Sequence, residues 1–314
     1  MKEISKQDMR DLKPAVIGIA WRSRSQTRSF EWFCRAVEEA GAQFVLLDQI
    51  LTPHLRYDEN KKLLEGKADT NALTDAAGRM IRESGWKGSN AEKALGDVRG
   101  VLFLGGEDIS PSLYKHQEAW HGNEKDKDYC GERDISDYLL MSYLLDQDIP
   151  FLGSCRGMQM LSVVSGARMT QDILAFFQSL SEEYGYQHRP KVWGPGMHND
   201  FLPNDVQVKE GTLLHEITGR ETIRGCPCWH HQAARDVSGT NLIVSGYARS
   251  GNVSIIEEVE RVDKTFALGV QFHPEVPIGK AYDQAANRGD YMDHDTALAF
   301  FKRLVEESKK RAAR

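Results

Sequence analysis

Ile149-Pro150-Phe151-Leu152-Gly153-Ser154-Cys155-Arg156-Gly157-Met158-Gln159 is the stretch on which the fold turns. Its apolar opening, bounded by Asp148 and Pro150, predicts a short buried strand, and Met158 to Val164 predicts a helix. Between them, Gly153-Ser154-Cys155-Arg156-Gly157 has the form of a nucleophile elbow with cysteine in the serine position. Two glycines allow a sharp strand-to-helix turn that lifts the Cys155 side chain out of the sheet. The helix that follows aims its N-terminal N–H groups at the sulfur, a setting suited to a reactive cysteine. The same five residues would also suit an ordinary buried cysteine beside two turn glycines, so the rest of the chain has to decide.

Working outward, the pattern is that of a parallel α/β sheet. Ala15 to Ala20 is an apolar strand, Phe30 to Ala40 has helical spacing with Gly41 as its stop, and Gln43 to Leu47 is the next strand. Strand, helix and strand with turn residues between them is a βαβ unit. Residues 51 to about 97 interrupt the rhythm and are expected to be a mostly helical insertion, more a solvated excursion than a working part. Val101 to Leu104 is a strand that ends in Gly105-Gly106-Glu107-Asp108, and Glu132 to Leu145 is a helix whose acidic start suits the dipole. Beyond the elbow, Ile173 to Tyr184 is expected to be helical, with a Gly/Pro/aromatic loop from 185 to 196. Val206 to Val208 and Leu213-Leu214 are strand or turn pieces. Asn241 to Tyr247 and Val253 to Glu257 form an antiparallel pair, Phe266 to Phe272 is a strand, and Thr296 to Ala312 is a C-terminal helix. No repeat or linker stands out, so one domain over 1–314 is expected.

The chain has 314 residues and a net charge of -6, long enough for one large α/β core and too mildly acidic to call for nucleic acid or a membrane surface. Its five cysteines, 34, 130, 155, 226 and 228, do not form a disulfide framework. A charged start without an apolar run and the lack of any membrane-length apolar stretch predict a cytoplasmic protein.

A cysteine nucleophile needs a base within reach and a third group to orient that base. His273 and Glu275 suit those roles, because residues two apart in an extended chain point the same way. The oxyanion hole would use the amide of Arg156, after the nucleophile, and one from the Gly106 region. Cys226, Cys228, His230 and His231 invite comparison with a zinc site, but Cys-x-Cys followed by His-His is too tight for usual structural zinc spacing. The Arg156 side chain is read either as a charge beside Cys155 or as a surface residue, and Glu107 and Asp108 either as binders of a substrate amino group or as caps for the next turn, with the cap favoured for Asp108.

Taken together, Gly153 to Gln159, Gly269-Val-Gln-Phe-His273-Pro-Glu275 and Leu104-Gly-Gly-Glu-Asp108-Ile-Ser-Pro111 resemble the class I glutamine amidotransferase-like superfamily. The branch they resemble is that of the γ-glutamyl-γ-aminobutyrate hydrolases. The resemblance, with Trp229-His230-His231-Gln232, covers about residues 15–50 and 98–275. It implies a flavodoxin-like sheet with helices on both faces and a Cys155–His273–Glu275 triad that cleaves a γ-glutamyl amide through a thioester. It also implies a substrate site around Gly105, Gln159, His230, His231 and Gln232, no metal, no organic cofactor and a setting in polyamine catabolism. His198 resembles a family position. The chain departs from the branch in the insertion, in Pro227-Cys228 before the His-His-Gln element, and in Ser250-Gly251…Ser254 of the late hairpin. Those departures leave the amine open. The leading expectation is a stand-alone hydrolase with a small-molecule partner, with a homodimer left open. The alternatives are a glutaminase subunit of a two-component amidotransferase and a non-catalytic binding protein.

Overall fold

Register places the elbow and the loops singled out above at one end of one sheet. The computed structural model describes residues 14–23, 27–118, 120, 122–185, 187–189, 201–282 and 291–313. In its first half run β1 (Ala15–Ile19), α1 (Arg28–Glu39), β2 (Ala42–Leu46), α2 (Asp75–Ser84), α3 (Ala91–Leu95), β3 (Gly100–Phe103) and α4 (Gly131–Asp146). Then come β4 (Phe151–Ser154), α5 (Arg156–Val164), β5 (Arg168–Thr170), α6 (Ile173–Ser179), β6 (Leu202–Val208), α7 (Leu213–Thr218), β7 (Thr222–Cys228) and β8 (Ala233–Asp236). The last part holds β9 (Leu242–Ser250), β10 (Val253–Arg261), β11 (Ala267–Val270), α8 (Glu275–Tyr282) and α9 (His294–Ala312).

Among the described residues, nine strands join in the order β2-β1-β3-β4-β11-β10-β9-β6-β7, and β5 pairs with β8 apart from them. The first five are mutually parallel and the remaining pairings are antiparallel. Period-two alternation splits the core. Ile17, Ile19, Leu102, Leu152 and Leu268 pack with Phe33 of α1 and Phe300 and Leu304 of α9. Val101, Phe103, Phe151 and Ala267 face the other way, onto Leu139, Leu140 and Met158 of α4 and α5. The parallel part is the sheet that the βαβ pattern predicts, and the helices on its two faces are those that the resemblance implies. Local chemistry starts the outer helices: the Thr27 side chain accepts from the amide of Phe30, and that of Asp293 accepts from the amide of Thr296.

Several local expectations give way. Residues 51–74 are turns and bridges, Tyr57 with Leu63 and Lys67 with Leu73, and only α2 and α3 are helical there. The insertion is also no solvated excursion. Leu55, Leu63, Leu73, Ile81 and Leu95 lie in the same core as α4, because that helix has a second apolar side to cover. Backbone polarity is met by α4 as well, with the Glu132 carboxylate accepting from the amide of Leu63 and the Ser136 hydroxyl from that of Ile50. The helix from Ile173 stops at Ser179. Leu213-Leu214 opens a helix capped by Thr212, and Cys226 to Cys228 closes a strand. His198 and most of the 185–196 loop lie outside the described residues. Among the described residues no helix is long and apolar enough to cross a membrane.

Candidate active site

The site lies at the carboxyl ends of β1, β3, β4 and β11, where ligand loops gather in an open parallel sheet. Cys155 stands between β4 and α5 with φ 51° and ψ -104°, a conformation that L side chains rarely adopt. Such backbone costs about 1–3 kcal/mol and persists only where the surroundings over-determine it. Here the glycines hold it. A Cβ on Gly153 would lie 2.5 Å from the carbonyl carbon of Gly157, and one on Gly157 would lie 2.7 Å from the Phe103 carbonyl oxygen. The elbow therefore needs glycine for the close approach of helix to strand. The Cys155 amide donates to the carbonyl of Val270 at 2.7 Å, which ties the elbow to β11.

That tie brings in the other two residues. The imidazole of His273 bonds through Nδ1 to Glu275 Oε1 at 2.8 Å and lies beside Cys155 in the wall of one recess, a Cβ placed on Gly105 falling 3.7 Å from His273 Nε2 and 3.5 Å from Cys155 Cβ. Ser29 donates to the same carboxylate oxygen at 2.8 Å, and the ring of Phe201 lies 4.8 Å from that of His273. The route to this geometry differs from the expected one. β11 ends at Val270, and Glu275 is the first residue of α8, so a turn into a helix aligns the two side chains in place of strand alternation. Burial opposes a charged ring at His273, but the carboxylate of Glu275 and the pairing with Cys155 outweigh it, and its pKa is pushed up to about 10.

Arg156 corrects both of its expected roles. Its side chain is 1% exposed and points away from the surface, paired with Asp134 at 2.6 Å and with Asp137. Its charge is thus matched by two carboxylates beneath the sheet end, while its backbone N–H, first in α5, has no intrahelical acceptor. The acidic start of α4 is likewise more than a dipole match. Arg133 reaches Glu107 at 2.6 Å and donates to the carbonyls of Leu104 and Gly105 at 2.9 and 3.0 Å. Burial disfavours a charged Glu107, but Arg133 and the Ser23 hydroxyl outweigh it and hold its pKa down to about 2. Gly106 sits at φ 147°, and a Cβ there would collide with the Arg133 guanidinium; a Cβ on Gly105 would lie 2.9 Å from His273 Cε1. Arg133 and its partners escape a sequence reading. Their one signal is the i, i+4 pair Arg133 and Asp137 on a helix otherwise apolar enough to be core.

Two recesses open at the sulfur. One of about 680 Å³ is lined by Arg22, Ser29, Gly105, Gly106, Phe201, Trp229 and His273. The other, about 180 Å³, is walled by Asp108, Gln159, Arg189, His230, His231 and Gln232. Gln159 donates to the carbonyl of Gln232 at 3.2 Å and to the Gln271 amide oxygen at 3.4 Å. His231 stands between Asp108 at 3.1 Å and Asp172 at 3.4 Å. Burial would lower its pKa, but the bonds to Asp108 and Asp172 prevail and raise it to about 9. Asp108 is therefore a partner of His231 rather than a turn cap. Its Oδ2, and both side-chain polar atoms of Gln232, are buried without a hydrogen-bond partner. His230 is turned inward, with Nδ1 donating to the carbonyl of Gln232 at 2.8 Å. Ser250 of the late hairpin accepts from the amide of Gly185 at 3.1 Å. A neighbouring cavity of about 520 Å³ brings Lys61, Lys62, Lys67 and Asn71 of the insertion to Ser23, Glu107 and Asp128.

The family described as Peptidase C26 matches residues 67–275. Protein NtpR of Enterococcus hirae is 28% identical over 66% of this chain and 79% of its own length. The gamma-glutamyl-gamma-aminobutyrate hydrolase of Escherichia coli O157:H7 is 30% identical over 59% of this chain and 66% of its own. Among solved structures, a Thermoplasma acidophilum protein provisionally described as part of a GMP synthase superposes with a TM-score of 0.50 at 11% identity. That superposition covers 95% of this chain and 96% of the other, which is a likeness of fold.

Proposed function

Since the chain belongs to the Peptidase C26 family, we propose that it hydrolyses a γ-glutamyl amide through a thioester on Cys155. The observation that carries this reading is a strained cysteine beside a His273–Glu275 dyad at the mouth of two recesses. The sulfur, with its proton on His273, attacks the γ-carbonyl carbon. The carbonyl oxygen becomes an oxyanion that the amides of Arg156 and Gly106 face, each such donor typically contributing about 10²–10³ in rate. The C–N bond breaks as His273 gives its proton to the departing amine. Water then attacks the thioester carbon, His273 takes the water proton, and the γ-carboxylate leaves the sulfur. Glu275 fixes the ring tautomer throughout.

The glutamyl head suits the smaller recess. The orphaned Asp108 Oδ2 and the Gln232 amide oxygen face an α-ammonium, and the Gln232 amide nitrogen an α-carboxylate. With Lys67 held by Glu132 at 2.5 Å, Lys61 and Lys62 of the insertion-lined cavity favour an amine that itself carries a carboxylate.

The test is the purified chain against γ-glutamyl-GABA, γ-glutamyl-putrescine and glutamine. Amine release is expected, fastest from γ-glutamyl-GABA, and Cys155→Ala is expected to lose at least about 10⁴-fold in kcat. Undiminished turnover in Cys155→Ala would remove the nucleophile from the scheme. Activity only with an added synthase would assign the chain to the glutaminase reading instead.

A further inference from the structure

His188, His230 and Glu257 meet behind the Trp229–Gln232 loop, and the mechanism uses none of the three atoms they bring together. They come from the 187–189 segment, the loop after β7 and the middle of β10. His188 and Glu257 are 0% exposed and His230 is 4% exposed.

Their hydrogen bonds fix where the protons are. Nδ1 of His230 faces the Gln232 carbonyl at 2.8 Å; a carbonyl only accepts, so the proton is on Nδ1 and Nε2 carries a lone pair. Nε2 of His188 lies 2.8 Å from the side-chain nitrogen of Asn204; with that amide nitrogen donating, it too presents a lone pair. Both nitrogens also face Glu257 Oε1, at 3.0 Å from His188 and 3.4 Å from His230. His230 Nε2 and Glu257 Oε1 are buried with no hydrogen-bond partner. Three electron-pair donors thus converge with no hydrogen to share between them. Each buried polar atom left in that condition costs about 1–3 kcal/mol.

A cation at the centre turns that repulsion into coordination. Metal–ligand distances of about 2.0–2.1 Å in a tetrahedron put neighbouring ligand atoms about 3.3–3.4 Å apart. The two spacings are 3.0 and 3.4 Å, and all three atoms lie within 4.8 Å of one another. Two imidazoles and a carboxylate are a donor set that zinc accepts. The outer contacts that orient such ligands are also present. They are the Gln232 carbonyl on His230, the Tyr184 hydroxyl at 3.2 Å from His188 Nδ1, and the Cys228 thiol donating to Glu257 Oε2 at 3.7 Å.

We infer that His188, His230 and Glu257 supply three ligands to a divalent metal ion of the zinc class, its fourth position left to water, and that the ion pins the wall of the active site to β10. His230 follows Trp229, whose carbonyl lies 3.9 Å from the Cys155 sulfur, and precedes His231 of the smaller recess. An ion on His230 therefore holds both. The other acid-rich cluster, Asp126, Asp172 and His231, makes no such demand. Arg189 meets Asp126, and the amide of Ala175 and the ring of His231 meet Asp172.

The test is metal analysis of the full chain, stripped with chelator and reloaded with Zn²⁺. We expect about one ion per chain, a higher melting temperature on loading, and a zinc X-ray absorption shell of N/O donors at about 2.0–2.1 Å without sulfur. His188→Gln and Glu257→Gln are expected to lose at least about tenfold in Zn²⁺ affinity, and Asp172→Asn to keep it. No stoichiometric Zn²⁺ on the wild-type chain, a sulfur shell near 2.3 Å, or loss of the ion in Asp172→Asn would each overturn the assignment. The absorption shell is read on the wild-type chain, so the result stands whether or not the variants fold.

Discussion

Beneath the Gly105–Gly106 loop, Arg133 and Arg156 meet Glu107, Asp134 and Asp137; behind the Trp229–Gln232 loop, His188 and His230 meet Glu257. Both clusters are buried and both brace a wall of the same site. In the first, two guanidinium groups reach all three carboxylates, so each carboxylate has a cationic partner within the chain. In the second, the imidazole protons are spent on carbonyl and hydroxyl oxygens outside the cluster, and the remaining lone pairs face one another. A buried polar group is tolerated where its complement is supplied; one of these clusters supplies its own, and the other calls for an ion.

Removing one member of the first cluster is the hardest blow to that contrast. Arg156→Ala leaves Asp134 and Asp137 buried and unmatched, and should cost about 3–5 kcal/mol of unfolding free energy in a denaturant melt. A loss below about 1 kcal/mol would mean that the carboxylates find another partner or water. Gly106→Ala drives a methyl group into the Arg133 guanidinium and should lower kcat by about 10²-fold, or about 2.7 kcal/mol of barrier, with a smaller change in KM. An unchanged kcat would free the Gly105–Gly106 loop from the oxyanion role.

The catalytic dyad gives a pH signature of similar size. His273 has a folded pKa near 10 against an ordinary 6.5, so its contribution is complete below about 6.5 and fades as pH rises through about 10. Glu275→Gln removes the carboxylate that holds the proton there. The wild-type advantage over this variant, on the order of 2 kcal/mol, should shrink between pH 6.5 and 10, read as the difference in melting temperature. A constant difference across that window would place the effect in packing. The mildest probe is Ser23→Ala, which deletes the 2.6 Å bond to Glu107 and should cost about 1 kcal/mol, because Arg133 remains to hold the carboxylate.

The parallel half of the sheet is legible because its signals are local. Apolar runs that lead into glycines mark β3 and β4, and Gly41 marks a helix end, while the caps at Thr27 and Asp293 emerge with the structure. The elbow, the Gly-Gly loop and the His-x-Glu element can each be picked out from a dozen residues. Less can be read where the signal depends on a distant partner. The insertion looks polar until α4 supplies a surface for Leu55, Leu63 and Leu73. Arg156 looks like a surface residue until Asp134 and Asp137 stand beneath it. Cys226 to His231 resembles a failed zinc motif, whereas the ligand set proposed here takes only His230 from it and draws His188 and Glu257 from elsewhere.

By itself the sequence determined the order of strands and helices in the parallel half, the sharp turn at Cys155, and the residue types that can act as nucleophile, base and orienter. Those follow from steric limits on a few adjacent residues and from the period of apolar side chains. Only the tertiary structure decided that Glu275 meets His273 from a helix start, that Arg133 underpins Gly106, and that three lone pairs converge on one buried point. These depend on charges and lone pairs tens of residues apart, whose energy is fixed by burial and distance, and neither quantity exists until the chain has folded.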